Sequence, residues 1–251
     1  MAQALIVAHR GDATHAPENT LVAFERAIQA GADAIELDVQ ESSDGEVFVF
    51  HDLYLGRTVA GHAPFGALTA RQVRGLDVGA LFSEQFAGTR IPTLREVLDC
   101  WQGKTRFEIE LKQPSRSLAN SVLRAIRDFG IAGSVELTSG HLPLLSWLRE
   151  SQPDVELGTW FSPAPDWMRP NEHAAHISAY ADLLGLRVVH LPISVMTEPL
   201  VAHIHDAGRL AHGANLNDEQ ALRAALRLGV DRLTTNGIAL AASIIKRSVL
   251  G

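Results

Sequence analysis

The chain has 251 residues, 46% of them hydrophobic and 20% charged, and 22 Lys+Arg against 29 Asp+Glu leave a formal charge of −7. Such a chain can bury a full core, which excludes a disordered tail or a small stapled module, and its acidic balance argues against non-specific nucleic-acid binding. The single cysteine, Cys100, excludes an internal disulfide and a cysteine-built zinc site, and beside Trp101 it reads as packing.

Two hydrophobic periods alternate along the chain. Strands are predicted at Leu5–His9, Ala34–Val39 and Val47–His51, with an amphipathic helix over Thr20–Ala30 between the first two. Asn19-Thr20 opens that helix and Gly31 closes it. The segment Asp52–Pro92 breaks the rhythm: it is glycine-rich, holds one short predicted helix at Thr69–Gly75, and reads as an insertion after an early strand. Beyond it, helices at Thr93–Trp101, Leu118–Phe129, Leu142–Glu150, His173–Leu184, Pro199–Ala207, Glu219–Leu228 and Ile238–Lys246 are predicted. They alternate with strands at Arg106–Leu111, Ser134–Thr138, Glu156–Trp160, Arg187–Leu191, Leu210–Leu216 and Arg232–Thr235. Asn217-Asp218 and Gly229 bracket the penultimate helix. This alternation points to an α/β fold, a TIM (β/α)8 barrel with a small insertion, and a doubly wound open sheet is the alternative. The expected organisation is one domain over residues 1–251, with the insertion at about 52–92.

No run approaches the ~18–20 continuous apolar residues of a membrane span. The opening MAQALIVAHRGD has one strand's worth of apolar residues and no basic stretch before them, unlike a signal peptide. A cytoplasmic location is therefore expected.

Charged residues inside predicted strands carry the functional information. In Phe107-Glu108-Ile109-Glu110-Leu111-Lys112, a period of two places Glu108, Glu110 and Lys112 on one face, and in Ile35-Glu36-Leu37-Asp38-Val39 it pairs Glu36 with Asp38. Both faces of a parallel barrel strand are covered, so these charged faces point into the barrel or its mouth. Unpaired carboxylates there each cost several kcal/mol. A divalent cation with oxygen ligands is the simplest resolution, and a structural ion-pair network is the other. The first strand closes on His9-Arg10-Gly11 and another on His51-Asp52. Barrel enzymes keep their chemistry at the C-terminal rim, where two imidazoles can divide proton abstraction and donation. Arg10 offers a fork for phosphate oxygens, and the set describes phosphoryl transfer.

These residues resemble the glycerophosphodiester phosphodiesterase family, within the phosphatidylinositol-phospholipase-C-like barrels. The matching text is His9-Arg10-Gly11, Ala16-Pro17-Glu18-Asn19-Thr20, Gly31-Ala32-Asp33-Ala34-Ile35-Glu36-Leu37-Asp38-Val39, Asp44-Gly45, His51-Asp52, Ile91-Pro92-Thr93-Leu94 and Glu110-Leu111-Lys112. Their order and spacing over residues 4–112 are specific, and the likeness is thinner beyond. The resemblance implies a barrel with an insertion, a calcium or magnesium ion, and hydrolysis of glycerophosphodiesters to glycerol 3-phosphate and an alcohol. Carried across by position, Glu36, Asp38 and Glu110 are the metal ligands, His9 and His51 the acid/base pair, and Arg10 and Lys112 the phosphate-binding residues. With the cation bound, these groups make a mildly positive pocket in an acidic protein.

The expected substrate is a small phosphodiester of the glycerophosphocholine or glycerophosphoethanolamine type, serving lipid and glycerol metabolism. The alternatives are a lysophospholipase D-like activity of the same barrel and a non-catalytic phosphodiester-binding relative. Glu18 and Asn19 read first as a helix cap, Asp52 as an orienting neighbour of His51, and Glu108 as a partner for Arg10 or Lys112. His190, His212 and Trp160, near later strand ends, read either as pocket lining or as structural residues. Departures from the family pattern at Ala214-Asn215-Leu216-Asn217, Thr235-Asn236-Gly237-Ile238 and Ser139-Gly140-His141 are expected to touch neither the proposed metal nor the histidines, and they leave the alcohol-side wall of the pocket open.

Overall fold

A computed structural model describes residues 3–152 and 154–249; Met1, Ala2, Pro153, Leu250 and Gly251 of the expected domain lie outside the described residues. The strands are β1 (Leu5–Ala8), β2 (Ala34–Glu41), β3 (Val47–Val49), β4 (Arg106–Leu111), β5 (Val135–Thr138), β6 (Glu156–Trp160), β7 (Val188–Pro192), β8 (Leu210–Ala214) and β9 (Arg232–Thr235). The helices are α1 (Leu21–Gln29), α2 (Ala70–Val73), α3 (Leu94–Trp101), α4 (Arg116–Asp128), α5 (Leu142–Ser151), α6 (Pro170–Leu183), α7 (Glu198–Asp206), α8 (Glu219–Leu228) and α9 (Ile238–Val249).

Strands β1, β2, β4, β5, β6, β7, β8 and β9 pair in parallel in that order, and β9 returns to β1, which closes the expected barrel. The predicted strand at Val47–His51 is not a stave. β2 runs past the ring, and β3 folds back antiparallel along that overhang, pairing Val39 with Val49 and Glu41 with Val47.

Two faces of each stave meet different partners. Ile35, Leu37, Val39, Phe107, Ile109, Leu111, Leu137 and Leu157 face outward into the apolar core beneath the helices, each burial worth roughly 1.5–3 kcal/mol. The strand register places Glu36, Asp38, Glu108, Glu110, Glu136, Thr138, His190, His212, Arg232 and Thr234 on the other face, inside the ring. The barrel interior is therefore polar.

Local chemistry sets the element ends. The Thr20 hydroxyl accepts from Ala23 N–H and starts α1, and Asp218 accepts from Ala221 N–H and starts α8. α6 begins at Pro170, three residues before the predicted start, because a proline suits the first helical turn. β8 stops at Ala214, short of the predicted Leu216, where Asn215 takes φ +57. Residues 50–92 bury a small core of their own, in which the Phe50 and Phe65 rings stack 4.8 Å apart.

Candidate active site

Inward positions of β2 and β4 bring together Glu36, Asp38 and Glu110, whose carboxylate oxygens lie within 4.8 Å of one another. Glu36 accepts from the Arg10 backbone N–H at 2.8 Å. Asp38, fully buried, accepts at Oδ2 from Asn19 Nδ2 at 2.8 Å and lies 3.1 Å from Arg10 Nε. Lys112 Nζ stands 2.5 Å from Glu110 Oε1 and 3.6 Å from Asp38 Oδ1. Burial pushes Glu36 well above the usual carboxylate range, and the Asp38 charge adds to this against the pull of Arg10. Burial and then Asp38 also raise Glu110, against Lys112. Asp38 Oδ1 is buried with no hydrogen-bond partner. Crowded oxygens, raised carboxyls and an unsatisfied oxygen fit a hard divalent cation.

The turn His9-Arg10-Gly11 follows β1 into this cluster. Gly11 has φ +81, and a Cβ there would come within 2.7 Å of the Ala23 backbone, so only glycine lets α1 close over the turn. His9 Nδ1 lies 3.2 Å from Asn236 Oδ1. Burial, reinforced by the Arg10 charge, lowers His9 from 6.5 to about 4, and it stands near enough to Asp38 and Glu18 to feel their charges. Its ring is neutral at neutral pH.

His51 does not close a barrel strand, contrary to the sequence expectation. It lies two residues beyond β3, in a chain that runs back toward the barrel because Phe50 N–H bonds Asp38 C=O at 2.9 Å. Gln40, the next inward residue of β2 after Glu36 and Asp38, donates from Nε2 to Phe50 O at 3.0 Å and Asp52 O at 2.8 Å. Those two bonds straddle His51 and turn it toward Glu110, whose titration feels its charge. His51 Nδ1 is 2.7 Å from Asp52 Oδ1. Arg57 bonds both Asp52 oxygens and both Glu18 oxygens, and Glu18 accepts from Arg10 Nη1 at 3.0 Å. Although burial works the other way, the Arg57 hydrogen bonds and the Arg10 charge hold Glu18 at about 2. An unbroken chain of hydrogen bonds and ion pairs thus links His51 to Arg10 and Asp38.

The structure brings all seven predicted residues to one end of the barrel: His9, Arg10, Glu36, Asp38, His51, Glu110 and Lys112. Four others hold them there. Asn19, read as part of a helix cap, clamps Asp38 on both sides while Thr20 does the capping. Gln40 could have been found by extending the Glu36–Asp38 period one step. Arg57 is five residues from Asp52 but 39 from Glu18, and Asn236, expected to stand clear of the histidines, meets His9 from 227 residues away. Glu108, His190 and His212 form a separate buried group deeper in the barrel. Trp160 ends β6 41% exposed, and its indole fills the space beside Gly140, where a Cβ would meet it at 2.9 Å.

The model of the glycerophosphoryl diester phosphodiesterase family matches residues 9–240. The chain belongs to that family. It is 37% identical over 158 residues to a glycerophosphodiester phosphodiesterase of Caldanaerobacter subterraneus, a match covering 61% of this chain and 65% of that one. A glycerophosphodiester phosphodiesterase of Bacillus altitudinis is 30% identical over 239 residues, 92% of this chain and 94% of the relative. A solved glycerophosphodiester phosphodiesterase from Agrobacterium tumefaciens superposes with a TM-score of 0.84 at 27% identity, over 96% of this chain and 99% of that one. Family membership makes the chain a phosphodiesterase by class. Among the described residues, no helix is long and apolar enough to cross a membrane.

Proposed function

We propose that the chain hydrolyses glycerophosphodiesters, of the glycerophosphocholine or glycerophosphoethanolamine type, to glycerol 3-phosphate and an alcohol. The catalytic unit is the barrel with residues 52–92 as its insertion. The observation that carries this reading is the convergence of three carboxylates, two imidazoles, Arg10 and Lys112 on one barrel end. Glu36, Asp38 and Glu110 hold a calcium or magnesium ion, which when bound neutralises phosphate charge and acidifies a coordinated hydroxyl.

Arg10 and Lys112 hold the phosphate oxygens. His9, kept neutral by burial, has Nε2 to accept the proton of the substrate's 2-hydroxyl while Asn236 takes up the Nδ1–H. The freed oxygen attacks phosphorus, and His51 protonates the departing alcohol at Nε2, its Nδ1–H donated to Asp52. A cyclic phosphate results. Water then opens it with the two imidazoles in reversed roles, giving glycerol 3-phosphate.

The test is release of glycerol 3-phosphate from either diester by purified protein, with calcium or magnesium and then after chelation. Metal-dependent release supports the reading, and turnover that survives complete metal removal refutes the carboxylate assignment. Exposed Leu53 and Tyr54 directly after His51-Asp52, and exposed Trp160, favour a second reading in which the alcohol carries an acyl chain. A lysophospholipid turned over faster than glycerophosphocholine would select it.

A further inference from the structure

Beneath the carboxylates of the mouth, the barrel holds a second set of donors that the reaction does not use. Glu108 precedes Glu110 by two residues on the same face of β4, roughly 6–7 Å deeper along the strand. His190 and His212 are in register on β7 and β8, with rings stacked 4.0 Å apart at 26°. All three are buried. Both imidazoles aim Nδ1 at the Glu108 carboxylate: His212 Nδ1 is 3.5 Å from Oε2 and His190 Nδ1 is 3.8 Å from Oε1. These separations are too long for good hydrogen bonds. Glu108 Oε2 and His212 Nδ1 are accordingly buried with no hydrogen-bond partner.

The far ring nitrogens, by contrast, are held. His190 Nε2 is 2.6 Å from Glu136 Oε1, and Glu136 is gripped by Arg232 Nη1 at 2.7 Å. A charged acceptor at Nε2 selects the tautomer that leaves the Nδ1 lone pair facing Glu108. His212 Nε2 is 2.5 Å from Thr234 Oγ1. A Cβ on Gly158 would lie 2.0 Å from Glu136 Oε1 and 2.8 Å from His190 Nε2, so the glycine makes room for this carboxylate–imidazole pair.

Two donors on one tetrahedral ion, with bonds of ~2.0–2.2 Å, stand about 3.4 Å apart. The 3.5 and 3.8 Å separations approach that spacing. Imidazoles backed by carboxylate or hydroxyl acceptors are the usual setting of metal-ligating histidines, and a nitrogen-rich set selects borderline transition ions rather than calcium or magnesium. We propose that Glu108, His190 and His212 form a second metal site, buried in the barrel, for a divalent transition ion of the zinc class. Glu136 and Thr234 orient the two imidazoles. A narrow cleft lined by Val7, Ala34, Glu108, Glu136 and Arg232 reaches this layer from the N-terminal end of the strands, away from the catalytic mouth. The ion ties β4 to β7 and β8 across the ring, and its role is to stiffen the barrel.

Chelator-stripped protein is dialysed against Zn2+ or Co2+, and bound metal is counted by elemental analysis. The wild type should hold two equivalents. Glu36→Gln/Glu110→Gln, which disables the mouth site only, should hold one, show the intense visible bands of nitrogen-ligated tetrahedral cobalt, and melt at a higher temperature with Zn2+. His190→Gln/His212→Gln should lose one equivalent. The proposal is overturned if folded Glu36→Gln/Glu110→Gln protein binds no metal, or binds cobalt without those bands. It is overturned equally if the double histidine variant still holds both equivalents.

Discussion

In chelator-treated protein the ring of His9 should stay neutral down to about pH 4. Burial is the main cause, with Arg10 next to it, and the carboxylates of Asp38 and Glu18 restore only part of the loss. The gap between 6.5 and about 4 corresponds to about 3 kcal/mol against the imidazolium. Because the folded value lies below the unfolded one, this has no effect on stability above pH 6.5. As pH falls from 6.5 to about 4, the unfolded chain takes up a proton that the folded chain refuses, and about 3 kcal/mol of stability is lost across that window. His9→Gln should remove that part of the pH dependence, which denaturant titrations at pH 7 and 4 can measure. The direct assay is an NMR titration of the imidazole, assigned by its absence from the His9→Gln spectrum. Asn236→Asp places a carboxylate at the position now 3.2 Å from Nδ1. At that distance the Coulomb energy runs from about 1 kcal/mol in water to about 5 kcal/mol at an effective dielectric of ~20, so the midpoint should rise by at least about one pH unit. A wild-type midpoint near 6.5 would falsify the burial argument. An unmoved midpoint in Asn236→Asp would show that the Nδ1 contact is not made.

His9→Ala and His51→Ala should each lower kcat by about a hundredfold or more in the glycerol 3-phosphate assay; wild-type turnover in either variant removes that residue from the acid/base pair. Arg57→Ala should leave the melting temperature nearly unchanged, since Arg57 is about half exposed. It should nevertheless lower kcat about tenfold by releasing Asp52 behind His51 and Glu18 behind Arg10, and an unaltered kcat contradicts the ion-pair chain. Gly158→Ala should be destabilising, because its Cβ would occupy the place of Glu136 Oε1. Breaking that buried carboxylate–imidazole pair costs about 3–5 kcal/mol, read by calorimetry as a fall of roughly 6–20 °C, and a melting point within a degree of wild type refutes the packing.

Much of the site was legible because the period of a strand is two and a parallel stave has two covered faces. Glu36 and Asp38, and Glu108 and Glu110, sit among apolar residues at alternate positions, and that pattern requires an inward charged face wherever the strands close a ring. The same rule, carried one period (two residues) further, reaches Gln40. His51 was located by its neighbours in sequence, but the reason for its position was not: its strand is a hairpin folded over the overhang of β2.

What the sequence by itself determined was the alternation of elements, the class of fold and the identity of the charged residues facing inward, because these follow from periodicities a few residues long. Only the tertiary structure decided which distant groups meet. Asn236 reaches His9, Arg57 spans from Asp52 to Glu18, and the inward residues of β4, β7 and β8 converge on one buried point, because closing the ring brings strands far apart in the chain side by side. No local pattern records that closure. It also divides the interior into two groups, Glu36, Asp38 and Glu110 in one and Glu108, His190 and His212 in the other, which the strand periodicity alone presents as a single polar face.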